Sequence, residues 1–392
     1  MSIIRSTLDT DLYKITTGYA YSKLFPHAEG HFRFIDRDNM VYPEGFDLRL
    51  KEEVAKMAQL SLSDGEAHFM KEKMPYVPPT YVDFLKGFRF NPKEVDIRLD
   101  EEGHLHIDAI GPLYRITLWE TPILALVSEL RYQMLGATFD KEYVECKTIE
   151  KAQKLKDAHL SFSIFGMRRR FSYEVEDLVT HLLKEHAGNA LYGTSNMHLA
   201  HKYGLQVSGT HPHEWIQFHG AIYGYKMANY MSMENWINVY DGDLGTVLSD
   251  TYTTDIFLRN FSKKHALLYS SLRHDSGDPF EFINKVILRY KELKVDPKLK
   301  YIIFSDSLNV ERAIEIQKAC SHRIHCSFGI GTNLTNDTNS GYKPCNIVMK
   351  LWKCRMTAKE PWINCVKLSD DKGKHTGEPR EIRLCKETLG II

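Results

Sequence analysis

His211 and His213 stand one residue apart in Gly209-Thr210-His211-Pro212-His213-Glu214-Trp215, and seven of the chain's 18 histidines lie between His181 and His219. Two imidazoles at this spacing fit two chemistries. They could hold a divalent metal, or one could be a nucleophile oriented by a carboxylate such as Asp250 or Glu214. His181, His186, His198, His201 and His219 read as surface or capping residues. Arg168, Arg169 and Arg170 form the one run of three consecutive Lys or Arg. Arg168 is the residue expected to meet an anion; the others face solvent or cap carboxylates on the following helix. Arg273, beside Asp275 and Asp278, reads as a structural ion pair or as a fork for a carboxylate, whose two oxygens match two guanidinium N–H groups.

Phosphate chemistry has its own candidates. Gly329 and Gly331, with Thr332, let backbone approach a ligand closely, and Ser305-Asp306-Ser307 precedes a helix start near Val310. N–H groups at such places can cradle a phosphate. No GxxxxGK occurs, and the glycine pair lacks the third glycine of a dinucleotide fingerprint.

These residues must be positioned by an α/β framework. From residue 141 onward, short apolar runs alternate with amphipathic stretches. The expected strands are 161–165, 190–193, 205–209, 245–249, 267–272, 301–304, 324–328 and 346–351. Helices are expected at 173–186, 214–231, 279–293 and 310–320 between them. Eight strands with intervening helices match a (β/α)8 barrel, and a doubly wound sheet would give a similar string. In either architecture the working residues follow the strand C-termini, where nearly all the segments above fall. The His-x-His pair then follows the third strand, whereas metal-binding barrels place it after the first. Later strand ends offer only His274 as a further ligand, so the nucleophile ranks ahead of the metal. The first 140 residues read as α+β: helices near 11–23, 46–60, 63–74, 79–87 and 120–135, and strands at 32–35, 95–99, 104–109 and 113–118. The division expected is 1–140, joined by about 352–392, against a 141–351 barrel.

Composition narrows the function. The 392 residues carry 51 Lys+Arg and 51 Asp+Glu, with 43% hydrophobic and 26% charged residues. This is globular composition, and zero net charge argues against a general nucleic-acid binder. Seven cysteines without CxxC spacing, six of them at or beyond Cys320, read as buried thiols in a cytoplasmic protein. The first residues lack an apolar signal region, and no run is long enough to span a membrane.

Taken together, the segments resemble the nicotinate phosphoribosyltransferases, of the type II phosphoribosyltransferases. The resemblance rests on Thr10-Asp-Leu-Tyr-Lys14, Phe165-Gly-x-Arg168-Arg-Arg, Gly193-Thr194-Ser195-Asn196, Gly209-Thr-x-x-His213-Glu-Trp215, Asp275-Ser-Gly-Asp-Pro279 and Phe328-Gly-Ile-Gly-Thr332. It covers nearly the whole chain in order; Met167 stands where Thr is more usual. It implies an irregular (β/α) barrel with a smaller α+β domain built from the N-terminal region and part of the C-terminus. The implied reaction joins nicotinate to 5-phosphoribosyl 1-pyrophosphate in NAD biosynthesis, coupled to ATP through phosphorylated His213, with Mg²⁺. A homodimer is implied, with a Tyr matching Tyr13 reaching the partner's site. Tyr13 and Phe165 would sandwich the pyridine ring and Arg273 would fork its carboxylate. Thr194, Ser195 and Asn196 would line the substrate. Asp250 or Asp275 would hold ribose hydroxyls or metal-bound water, or Asp250 would orient His213. The competing readings are a metal-dependent barrel hydrolase using His211 and His213, a non-catalytic phosphate-binding barrel, and a relative acting on nicotinamide.

Overall fold

The computed structural model describes residues 2–371 and 373–391. It is a mixed α/β fold with a seven-stranded sheet and a separate five-stranded one. In chain order the strands are β1 (Glu29–Asp36), β2 (Val95–Leu99), β3 (Leu105–Pro112), β4 (Phe162–Ile164), β5 (Leu191–Thr194) and β6 (Gln206–Val207). They continue with β7 (Thr246–Leu248), β8 (Ser271–His274), β9 (Tyr301–Phe304), β10 (His325–Ile330), β11 (Ile347–Arg355) and β12 (Ile363–Asn364). Residues divide into two compact units that interleave along the chain. The first takes residues up to Tyr19, His31–Gly209 and Ile330–Lys350; the second takes Ala20–Gly30, Thr210–Gly329 and residues from Leu351 onward.

In the first unit, β2 and β3 form the antiparallel hairpin expected from their alternation, with Ile97 opposite Ile107. Strands β4, β5 and β6 are parallel neighbours in that order. Beyond β4, Phe165 N–H donates to the carbonyl of Ile330, the last residue of β10, at 2.8 Å. Gly193 in β5 is required by close approach: a Cβ there would lie 2.1 Å from the Gln206 carbonyl oxygen. A helix at Asp64–Lys73 starts with a capping box between Ser63 and Glu66.

In the second unit, β7, β8, β9 and β10 are parallel neighbours in sequence order. Leu248 pairs with Arg273, and His274 with Phe304. This register aligns the carboxyl ends of β7, β8 and β9. The helix Pro279–Glu292 begins where Asp278 accepts from Glu281 N–H at 2.8 Å, with Pro279 at the first helical position.

Three expectations change. The eighth strand, 346–351, is part of β11, which pairs antiparallel with β12 rather than adding a parallel strand. Hydrophobic alternation marks a strand but does not choose its sheet. Residues 113–118 are helical, Leu113–Ile116 followed by a 3-10 turn, with Leu113 and Ile116 buried three apart. The helix expected over 214–231 is two helices, His213–Tyr223 and Tyr225–Tyr240, broken at Gly224, whose φ of +81° is not helical. Cys320, Cys345, Cys354, Cys365 and Cys385 are buried and free, Cys326 is half-buried, and Cys146 is exposed. Among the described residues no helix is long and apolar enough to cross a membrane.

Candidate active site

The second unit gathers His213, Asp250, Arg273, Asp275 and Ser305. Asp250 lies two residues past β7, Asp275 and Ser305 immediately past β8 and β9, and Arg273 within β8. Parallel register therefore brings their side chains to one set of strand ends. His213 is the first residue of an 11-residue helix whose cap, Pro212, supplies no side-chain hydrogen bond.

His213 Nε2 lies 2.8 Å from Asp250 Oδ1 and 3.8 Å from Asp275 Oδ2. Of the two carboxylates considered to orient this imidazole, Asp250 is the partner. Its other oxygen accepts from Ser276 Oγ at 2.6 Å and faces the Lys367 ammonium at 3.5 Å. Ser276 Oγ in turn accepts from Asp370 N–H at 3.1 Å. Burial, and then the Lys367 cation, push the His213 pKa down to about 4 against the opposing pull of Asp250. Burial would raise Asp250, but Lys367 and His213 outweigh it and hold the carboxyl well below its ordinary range. The pair is thus a neutral imidazole donating Nε2–H to a carboxylate. His213 Nδ1 carries a lone pair and no hydrogen bond among the described residues.

Arg273 is braced rather than open. Its Nε donates to Ser305 Oγ at 2.8 Å, one terminal nitrogen to Thr210 Oγ1 at 2.8 Å, and the other to Asp275 Oδ1 at 2.7 Å. Ser305 Oγ also lies 2.7 Å from Asp275 Oδ1. Burial would raise the Asp275 pKa, but Arg273 and His213 lower it. Asp275 Oδ2 accepts no hydrogen bond among the described residues. Asp278, also considered for Arg273, instead caps its helix.

The His-x-His pair does not converge. His211 is fully buried, and its ring meets the Trp236 ring edge-on at 4.9 Å. Neither of its ring nitrogens has a partner among the described residues. The group there that could hold a cation is His213, Asp250 and Asp275, without His211. His274 follows Arg273 in β8 and so faces the other way, against Phe282 and Phe304. His219, expected at the surface, is fully buried: Nδ1 meets the Trp215 carbonyl at 2.7 Å and Nε2 meets Asn235 at 2.9 Å. An α-helical period places residue 219 on the same inward face as Trp215.

The phosphate candidates are differently placed. Asp306 is half-buried like Ser305 and faces the Lys374 ammonium at 3.6 Å, Ser307 Oγ donates to it at 3.2 Å, and Ser307 has φ +49°. Asn309, not Ser307, caps the helix Val310–Cys320, by accepting from Arg312 N–H at 2.8 Å. Gly329 lies inside β10. In the first unit, Gly331 and Thr332 open the short helix Thr332–Thr335, and a Cβ on Gly331 would stand 3.1 Å from the Phe165 carbonyl oxygen.

The first unit carries the remaining candidates. Arg168 Nε lies 3.5 Å from Asp11 Oδ2, and Ser195 Oγ donates to Asp11 Oδ1 at 2.6 Å. The Arg168 guanidinium sits 5.8 Å from the Tyr13 ring centre. Tyr13 Oη donates to Glu120 at 3.4 Å, and buried Lys14 pairs with the same carboxylate. Phe165 and Arg168 are half-buried at the β4 end. Thr194 Oγ1 accepts from Asn196 N–H at 3.2 Å. The Asn196 amide is committed to Asp9 at 2.9 Å and Glu176 at 3.2 Å. It belongs to a buried network around Arg170, which pairs with Asp9 at 2.9 Å and Glu176 at 3.0 Å. Arg170 is thus a structural cation tied to the following helix, as one of the two expectations held.

Ser276, Thr210 and Lys367 are site residues that the motifs did not single out. Ser276 and Thr210 lay within quoted motifs; Lys367 had no signal, standing alone in the cysteine-rich tail.

A neutral histidine held by a carboxylate, with acidic and basic groups at parallel strand ends of an α/β fold, is an arrangement suited to group transfer. The chain belongs to the nicotinate phosphoribosyltransferase family. The family's model matches residues 160–391 and that of its N-terminal domain residues 8–128. A nicotinate phosphoribosyltransferase of Chromohalobacter salexigens is 44% identical over 99% of both chains. The structure of the Porphyromonas gingivalis nicotinate phosphoribosyltransferase is 66% identical, covers 99% of this chain and 100% of its own, and superposes with a TM-score of 0.98. That of the Vibrio cholerae enzyme is 32% identical, covers 99% and 94%, and gives 0.91.

Proposed function

We propose that the protein transfers the phosphoribosyl group of 5-phosphoribosyl 1-pyrophosphate to nicotinate, driven by ATP through a phosphohistidine at His213. Family membership supports the transfer. The observation that carries the coupling is the His213–Asp250 pair. Asp250 accepts the Nε2–H hydrogen bond, so the nucleophile is the Nδ1 lone pair of a neutral ring. Nδ1 attacks the γ-phosphorus of ATP, the bond to the β-phosphate oxygen breaks, and ADP leaves. The phosphorylated ring gains positive charge, which anionic Asp250 stabilises. The phosphoryl group would form at the N-terminal, positive end of the helix His213–Tyr223, which favours an anion.

In ribosyl transfer the pyridine nitrogen bonds to C1 of the ribose as the C1–pyrophosphate bond breaks. Charge develops on the sugar and the departing pyrophosphate, so catalysis is positioning plus anion stabilisation. The first unit supplies aromatic faces and a cation for nicotinate, in Tyr13, Phe165 and Arg168. The second keeps Arg273 on Asp275 and Ser305, which fixes the Asp275 carboxylate. That carboxylate suits magnesium: Asp275 Oδ2 is a hard oxygen left without a hydrogen bond, whereas the Asp250 oxygens are engaged. A magnesium ion carried on the substrate phosphates would neutralise leaving-group charge. The homodimer implied by the resemblance belongs to the same proposal.

Turnover of nicotinate and nicotinamide, each with and without ATP, tests the reading in wild type and His213→Ala. The expected result is ATP-stimulated turnover of nicotinate in wild type. The variant should lose ATP hydrolysis and its stimulation while slow uncoupled transfer persists. Full ATP coupling in His213→Ala refutes the role of His213.

A further inference from the structure

Three lysines among the described residues are buried: Lys14, Lys300 and Lys367. Two are satisfied. Lys14 pairs with Glu120 and donates to Thr117 Oγ1 at 3.3 Å, and Lys300 donates to the Tyr269 carbonyl at 2.8 Å. Lys367, 5% exposed, is different. Its ammonium has three donors, and among the described residues its one polar contact is Asp250 Oδ2 at 3.5 Å, an oxygen that already accepts from Ser276 at 2.6 Å. Burying an ammonium without its hydrogen bonds is costly. The position is nevertheless held firmly. Lys367 and Thr376 exchange two backbone hydrogen bonds of 2.9 Å, and Leu368 N–H donates to the Thr251 carbonyl at 2.8 Å, beside Asp250. Val366 and Leu368 are both packed in the core cluster with Leu248 and Tyr252. Lys367 alternates with these two and is turned to the side of Asp250.

The cations of this unit's site therefore divide. Arg273 spends its guanidinium on Ser305, Thr210 and Asp275. Lys367 keeps donors to spare, behind the carboxylate that holds the nucleophile.

We propose that Lys367 is a phosphoryl-binding residue: its uncommitted ammonium donors take the oxygens of the phosphoryl group that passes to His213. This rests on the phosphohistidine reading. In that step the P–O bond to ADP breaks, the P–N bond to Nδ1 forms, and Lys367 supplies hydrogen bonds without gaining or losing a proton. The same donors would serve the pyrophosphate of the sugar substrate, since the chemistry recognised is a phosphoryl oxygen.

Lys367→Met, which keeps the buried stem, Lys367→Gln and Lys367→Arg test the proposal in the full chain. The first reading is labelling of His213 by γ-labelled ATP without the sugar substrate; the second is calorimetric binding of inorganic pyrophosphate. Lys367→Met is expected to label about 10²-fold more slowly, the loss typical of one preorganised donor. Lys367→Arg should stay within tenfold of wild type, and the KM for nicotinate should not move. A purely structural role would weaken nicotinate, ATP and pyrophosphate alike, and that result overturns the proposal. So does labelling at the wild-type rate in a folded Lys367→Met; Lys367→Gln is read in the same way if the Met variant does not fold. If wild type itself takes no label, the phosphohistidine reading fails. The pyrophosphate titration then decides for Lys367: weakening of tenfold or more in Lys367→Met supports it, and unchanged affinity overturns it.

Discussion

Asp250→Asn should disable His213 by reversing its tautomer. The variant keeps the shape of the side chain, so the outcome depends on which way the amide turns. The Oδ2 side faces the Ser276 hydroxyl at 2.6 Å and the Lys367 ammonium at 3.5 Å. Both are donors, because Ser276 Oγ is already an acceptor for Asp370 N–H. An NH2 group placed there would oppose a cation and a hydroxyl proton, so the amide oxygen takes that side. The NH2 then points at His213 Nε2, where the carboxylate lay at 2.8 Å. Nε2 must become the acceptor and the proton moves to Nδ1, the atom proposed as the nucleophile. Regaining the reactive tautomer would set two buried N–H donors against each other. Each unpaired donor costs about 1–3 kcal/mol, so the reactive form lies roughly 2–6 kcal/mol higher. At about 1.4 kcal/mol per tenfold, labelling of His213 should slow by roughly 30-fold to 10⁴-fold. Rapid-quench measurement of phosphohistidine, beside the KM for nicotinate and a thermal melt, reads this directly. Labelling within threefold of wild type in a folded Asp250→Asn would refute the tautomer argument.

Two further predictions concern the first unit. Gly193→Ala places a Cβ 2.1 Å from the Gln206 carbonyl oxygen, and backbone on a paired strand yields little. Overpacking of about 1–3 kcal/mol should lower the melting temperature by several degrees in calorimetry; an unchanged Tm contradicts the close approach. Glu66 accepts from Ser63 N–H at 2.9 Å and meets Ser6 and His198. Burial would raise its pKa, but these partners prevail and pull it down from 4.5 to about 2. Its folded pKa is depressed, so its contribution is full above pH 4.5 and is lost as pH falls toward 2. Urea unfolding between pH 5 and 2 should show a loss on the order of 2–3 kcal/mol that is absent in Glu66→Gln.

Much of this was legible because strand ends in parallel sheets collect polar residues. Short apolar runs bounded by Gly, Ser and Asp marked seven parallel strands, and Asp250, Asp275 and Ser305 followed from their ends. The role of Asp250 was not legible, since it depends on which side chain lies 2.8 Å away rather than on spacing. Arg273 was correctly located at a strand end, yet its three hydrogen bonds to protein atoms are a tertiary property. His219 was misjudged because a polar residue was assumed to seek solvent, although a backbone carbonyl and Asn235 satisfy its ring inside the core. Lys367 had no motif at all. What singles it out is a count of donors against partners, which exists only after folding.

Zero net charge is consistent with anionic substrates once the pairing distances are compared. Arg273 sits on Asp275 at 2.7 Å in a braced network, and exchanging that partner would dismantle the strand-end scaffold. The Lys367–Asp250 pair in the same unit stands at 3.5 Å. A longer pair loses less when the cation turns to a new anion, and Asp250 has a second donor, Ser276, to keep it satisfied. A site built this way carries no surplus positive field at rest. Such a site would take an anion at the Lys367 ammonium, so its affinity should depend on the geometry of that loose pair rather than on overall charge.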